Sequence, residues 1–156
     1  MSLASFNAAS AADAGAAMLS CCGSRAFAAT MAAGRPYASA DVLESAIAAA
    51  FTSLSWHDIL EALAEHPRIG DRVAGVSAAE QSGVTDASRA ALEAGNIAYE
   101  ERFGHVFLIC ATGLTGEQIL LALRERLANT PRAERAVAAS ELLKITVLRA
   151  RQLASS

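Results

Sequence analysis

The sequence predicts an all-α fold, a single-domain compact bundle of six to eight helices over residues 1–156. Three observations carry this. Apolar residues recur at helical spacing. Residues that start and stop helices follow one another at short intervals. Only one stretch, 106–110, has the apolar run of a buried strand, and a parallel α/β sheet needs several. The hydrophobic fraction of 53% is largely alanine, which favours closely packed helices over a bulky core. Only three prolines interrupt the chain, so long helices are allowed.

Taken in order, Asn7 is placed to cap a first helix running to about Ser20. Ser24 caps a second, closed by Gly34 and Pro36. Ser39 opens a third, where Leu43, Ile47, Ala50 and Leu54 form one stripe. Ser55 and Asp58 form a capping box for a short fourth, with Trp56, Leu60 and Leu63 inward. Pro67 pushes His66 away from the α region and ends that helix. A loop with Gly70, Gly75 and Gly83 follows. A helix from about Thr85 aligns Leu92, Asn96, Tyr99 and Phe103 and stops at Gly104. Residues 106–110 read as a short strand or a buried extended segment. Thr115 and Gln118 cap a helix through about Ala128. Thr130-Pro131 starts a last long helix with Ala138, Leu142, Ile145 and Arg149 on one side.

Charge and cysteine usage exclude several classes. A net charge of −3 without a Lys/Arg block leaves no nucleic-acid footprint and no attraction to an anionic membrane. The apolar runs are too short to span a bilayer. With neither a secretory signal nor a peroxisomal tail in view, the expected compartment is the cytoplasm. Three cysteines do not make a paired disulfide framework, and none has zinc spacing to a histidine, so no metal is expected.

Three local features could carry chemistry. In Glu65-His66-Pro67-Arg68-Ile69-Gly70, a histidine projects from the negative end of a helix. It suits either a proton donor or a cap for helix carbonyls. In Ser77-Ala78-Ala79-Glu80-Gln81, Ser77 and Glu80 form either a capping box or a turn presenting amides and a carboxylate to a ligand. The segment Phe107-Leu108-Ile109-Cys110-Ala111, with no partner strand, must satisfy its backbone through the rest of the protein or through an amide-rich ligand.

In order and spacing these pieces, with Phe6-Asn7, Cys21-Cys22-Gly23-Ser24, Arg35-Pro36, Arg102-Phe103-Gly104 and Leu143-Lys144-Ile145-x-x-Leu148-Arg149, resemble one family across nearly the whole chain. It is that of the 2-oxo-4-hydroxy-4-carboxy-5-ureidoimidazoline (OHCU) decarboxylases, which complete the conversion of uric acid to (S)-allantoin. The departures are modest: Phe27 stands where an aromatic, often tryptophan, is usual, and Ala78-Ala79 carry no long side chains.

The resemblance implies an all-helical homodimer that needs no cofactor and acts on a small ureidoimidazoline. It implies that His66 is the catalytic proton donor. It also implies that Pro67, Ser77, Ala78, Ala79, Gln81, Phe107, Leu108, Ile109, Cys110 and Ala111 line the substrate site. On chemical grounds Glu80 would orient His66 or accept the substrate's hydroxyl proton. Arg149, inward on the last helix, either holds the leaving carboxylate or reaches solvent over apolar surface; Arg68 and Arg102 are alternatives. The rival expectation is a non-enzymatic helical dimerisation module, with 106–110 as its interface and His66 as a helix terminator.

Overall fold

Short polar residues decide where the helices begin. The computed structural model describes residues 1–71 and 75–156, the side chains of 75–77 excepted. Among the described residues it contains nine helices and no strand. Ser24 accepts from the Phe27 N–H at 3.2 Å and opens α3 (Arg25–Ala33), which Gly34 closes. Ser39 does the same for α4 (Ala40–Thr52) through Val42. Ser55 and Asp58 exchange two hydrogen bonds, of 3.0 and 3.1 Å, at the start of α5 (Trp56–Leu63). Thr115 and Gln118 repeat that box for α8 (Gly116–Leu127). Each satisfies N–H groups that the first turn leaves without partners.

Three expectations are corrected. The first segment is two helices, α1 (Leu3–Ala8) and α2 (Ala11–Cys21), capped by Ser2 and Ser10. Asn7 is inside α1, and its amide pairs instead with the backbone N–H and C=O of Tyr37, at 2.9 Å each. The glycine-bearing loop contains a short helix, α6 (Gly75–Glu80), so the total exceeds the expected six to eight. In α5 the buried residues are Ile59, Ala62 and Leu63, whereas Trp56 and Leu60 are only half-buried. Residues 106–110 form no strand; they take the other expected form, a buried segment, with Phe107, Leu108 and Ile109 buried.

The chain gathers into two compact units, each with its own packing. The first comprises Met1–Ala62 and Leu142–Ser156. Within it α2 and α3 pack closely, Phe27 meets Phe51 edge-on at 5.5 Å, and Phe6, Met18, Met31, Leu43 and Ile47 are buried. Arg151 near the end of the chain pairs with Asp41 and Glu44 of α4.

The second unit, Leu63–Glu141, contains every predicted site residue except Arg149. Its core is Ile69, Leu92, Tyr99, Phe107, Ile109, Ala111, Ile119 and Leu123. These come from α7 (Asp86–Phe103), α8, the loop after Pro67 and the 107–111 segment, with α7 and α8 in close contact. At one end of that pair, Gly83 O accepts from the Gly116 N–H at 2.9 Å. A Cβ on Gly83 would lie 1.8 Å from Leu114 O, so only glycine fits. The last helix, α9 (Pro131–Ala154), buries Ala138, Leu142 and Ile145 as its spacing predicts.

Candidate active site

Helix α5 ends at Leu63, and its terminal carbonyl accepts from the His66 N–H at 3.1 Å. His66 therefore stands just past the helix, at its negative end, where Pro67 forbids another turn. Both residues are half-buried. The chain then bends through Gly70, whose φ of +95° suits glycine alone.

Glu80 is the last residue of α6 and is half-buried; Ala78 is half-buried and Ala79 exposed. Ser77 lies inside α6 rather than at its N-cap, which removes the capping-box reading. Its side chain falls outside the described residues. Gln81 is buried, and its Oε1 accepts from the Gly70 N–H at 3.0 Å. One bond thus ties the loop after His66-Pro67 to the residue after Glu80. It also occupies the carbonyl end of Gln81. Two further side chains hold the same loop. Asn96 Nδ2 donates to Ile69 O at 2.7 Å, and Arg89 donates to Gly70 O.

The third segment is satisfied by side chains rather than by a strand. Arg126 Nη1 donates to Leu108 O at 2.6 Å, and Glu141 Oε1 accepts from the Cys110 N–H at 3.2 Å. Arg126 lies over the Phe107 ring at 4.5 Å, and its Nε donates to Glu134 Oε1 at 2.7 Å. Glu134, fully buried, also accepts from Tyr99 Oη at 2.6 Å and Asn129 Nδ2 at 3.0 Å. Burial first, then the bond to Glu134, raises the Tyr99 phenol well above its ordinary value. The result is a fixed, paired charge cluster behind the segment.

In an extended chain, alternate residues turn their backbone groups to opposite sides. Leu108 and Cys110 turn theirs to Arg126 and Glu141. The intervening Ile109 therefore presents its N–H and C=O to the other side.

Arg126, Glu134, Glu141 and Tyr99 were not singled out from the sequence, yet a signal was present. Arg126 continues the buried stripe of Ile119 and Leu123 on α8, and Glu134 lies one turn before Ala138 on α9. A charged residue in a core register calls for a buried partner.

The predicted arginines divide differently. Arg68 is exposed and pairs with Glu100 at 3.0 Å, and Arg102 donates to Asn129 O at 2.6 Å. Arg149 lies in the first unit, half-buried. There burial pushes the Cys21 and Cys22 thiols up, and the nearby Arg149 charge works against that push. A surface cavity of about 410 Å³ lies between residues 68–71 and α7, but neither His66, Glu80 nor Phe107–Ala111 lines it. Among the described residues no cluster of three His, Cys, Asp or Glu could hold a metal ion.

A family model described as OHCU decarboxylase matches residues 7–151. The uric acid degradation bifunctional protein TTL of Arabidopsis thaliana is 38% identical over 86% of this chain, which spans only 45% of that protein. The 2-oxo-4-hydroxy-4-carboxy-5-ureidoimidazoline decarboxylase of Amia calva is 39% identical over 74% of this chain and 73% of its own length. A crystal structure of OHCU decarboxylase obtained in the presence of (S)-allantoin superposes with a TM-score of 0.77. It is 36% identical and covers 88% of this chain and 96% of that one. A structure of (S)-allantoin synthase shares the fold at a TM-score of 0.72 and 22% identity, over 97% of this chain and 54% of that one. The chain belongs to the OHCU decarboxylase family, whose members are carboxy-lyases.

Proposed function

We propose that this protein decarboxylates 2-oxo-4-hydroxy-4-carboxy-5-ureidoimidazoline to (S)-allantoin, with His66 as proton donor and Glu80 assisting. The observation that carries the proposal is the family match over residues 7–151, which includes all three candidate segments. The Gly70–Gln81 bond supports it by tying the His66 loop to the Glu80 turn.

Loss of CO2 needs a place for the electron pair, and this substrate carries its own. The bond from the hydroxylated ring carbon to the carboxylate breaks, and its electrons flow into the adjacent ring C=N, whose nitrogen takes a proton. The hydroxyl then gives up its proton to become the carbonyl, while the neighbouring carbon receives one. One proton is consumed overall, and the face that receives it sets the stereochemistry. No external electron sink is required.

His66 delivers that proton, and Glu80 accepts from the hydroxyl or orients the imidazole. Gln81 Nε2 and the Ile109 backbone pair with the ureido and ring amides, while Pro67, Ala78 and the remaining residues of 107–111 shape the walls. Ser77 belongs to this lining by the family pattern. Arg149 is the residue we assign to the leaving carboxylate. A lysine there weakens binding by on the order of tenfold, about one charge-assisted hydrogen bond. An unchanged KM and kcat in Arg149→Lys would remove it from the site. We also assign the whole chain to one domain, acting as a cytoplasmic homodimer. Among the described residues no helix is long and apolar enough to cross a membrane.

The test is to generate the unstable substrate with urate oxidase and the hydrolase that follows it, add the protein, and record optical activity. Appearance of rotation faster than the spontaneous decay supports the reading. A rate equal to the spontaneous one sinks it, and leaves the helical interaction module.

A further inference from the structure

Resting on the decarboxylase reading, we propose that Asn96 is a positioning residue that sets the reach of His66 by holding the loop behind it. Asn96 lies inside α7 and is only 3% exposed. Its Nδ2 donates to Ile69 O, which fixes the orientation of the amide. The other end, Oδ1, is buried and has no hydrogen-bond partner among the described residues. An unpaired amide oxygen in a core is costly, and a leucine at this register, between Leu92 and Tyr99, would avoid it. What the amide supplies in return is its one bond to the loop. A local rule broken in this way points to a task other than stability.

The geometry of the loop shows what that task is. His66 is anchored on one side by its N–H on Leu63 O, at the end of α5. On the other side, three residues later, Ile69 O is anchored on Asn96. Gly70 follows with φ +95°, its N–H on Gln81 and its carbonyl on Arg89. Release of the Ile69 bond removes the buried anchor just before Gly70, while Arg68 keeps its exposed pair with Glu100. The imidazole then samples positions away from the reacting carbon. The same helix carries Tyr99, whose ring packs on Phe107 at 5.2 Å. Asn96 therefore ties the His66 loop to the frame that holds the 107–111 segment. It acts through His66, and a loose loop lowers the fraction of bound substrate aligned for proton transfer without changing the binding surface.

The experiment compares wild type, Asn96→Leu and Asn96→Asp in the coupled optical-activity assay, with thermal melting of each. Leucine removes the donor and the unpaired oxygen together, so two opposing effects on stability offset each other. Aspartate keeps the shape but sets an acceptor against Ile69 O. In both, kcat falls by about 10- to 100-fold with KM within about threefold, and the leucine variant melts within a few degrees of wild type. Full kcat in a folded Asn96→Leu protein overturns the proposal. So does a loss of kcat in both variants that merely tracks collapse of the melting temperature. A wild type that does not exceed the spontaneous rate overturns the decarboxylase reading itself, a separate result that takes this one with it.

Discussion

Pro67 and a hydrogen bond from the residue's own N–H fix the backbone of His66. Pro67 denies it a helical backbone, and Leu63 O holds its N–H. The imidazole side chain thus leaves the chain just past the C-terminal end of α5. In the mechanism we propose, its contribution is the direction of a proton. Replacement of His66 by alanine should therefore lower turnover by on the order of 10² to 10⁴, the usual worth of a directed proton transfer. The far-UV circular dichroism spectrum should be unchanged, because the residue lies outside the helix. An alanine variant that still outpaces the spontaneous reaction would remove His66 from the chemistry. The buried pair behind the 107–111 segment obeys a different rule. Glu134 accepts from Arg126, Tyr99 and Asn129 at once. Glu134→Ala leaves the Arg126 guanidinium without its carboxylate and should cost about 3–5 kcal/mol in urea denaturation. The double change Arg126→Met with Glu134→Leu should cost less than the sum of the singles, since no charge is left uncompensated. Strict additivity would mean the two groups do not act as a pair.

Helix starts were legible in the sequence wherever the cap is local. Ser24, Ser39, Ser55 with Asp58, and Thr115 with Gln118 each bond to a backbone group three residues away, so sequence spacing alone specifies them. The same holds for stops made by backbone geometry, such as Gly104, which adopts a φ of +78° at the end of α7. What was not legible depends on partners far along the chain. Asn7 reads as a cap until Tyr37 is placed beside it, 30 residues on. The break between α1 and α2 hides in an alanine-rich stretch with little apolar contrast, and α6, at six residues, is too short to show a period. For the site, the sequence pattern pointed to His66, Glu80 and the 107–111 segment, but not to the side chains that hold them. Arg126 and Glu141 meet the segment only after the chain has folded back on itself. The close approach at Gly83 is of this non-local kind as well. Gly83→Ala forces its Cβ against Leu114 O, which no rotamer change relieves. A loss of about 1–3 kcal/mol is expected, read as a lower midpoint in urea. An unchanged midpoint would mean that the turn after α6 shifts freely, and with it Gln81.

At the scale of the molecule, burial holds the Cys21 and Cys22 thiols and the Tyr37 and Tyr99 phenols neutral, and these groups shape its response to alkali. Burial raises the Cys21 and Cys22 thiols above their ordinary 9.0 and the Tyr37 phenol above its ordinary 10.0, and burial with the bond to Glu134 does the same to the Tyr99 phenol. Between the ordinary and the raised value such a group keeps its proton in the folded state and loses it in the unfolded one. The unfolded state then binds fewer protons, and stability falls as pH rises. The contribution is whole below 9.0 and declines as pH passes first 9.0 and then 10.0. Melting temperature should accordingly be level through neutral pH and drop on the alkaline side. The two stretches of the drop have separate owners. Replacement of Cys21 and Cys22 by alanine should flatten the earlier part, and Tyr37→Phe with Tyr99→Phe the later part, at the expense of the bonds to Met31 O and Glu134, which lowers the whole curve. The cysteines and Tyr37 belong to the first unit and Tyr99 to the second, so the same titration also tests cooperativity. If the chain unfolds as one domain, either substitution moves a single transition, and the calorimetric and van't Hoff enthalpies agree. Two transitions, each answering to the variants of its own unit, would mean that the units melt apart, and a melting temperature that stays level past pH 10 would show that neither set of groups is held as described.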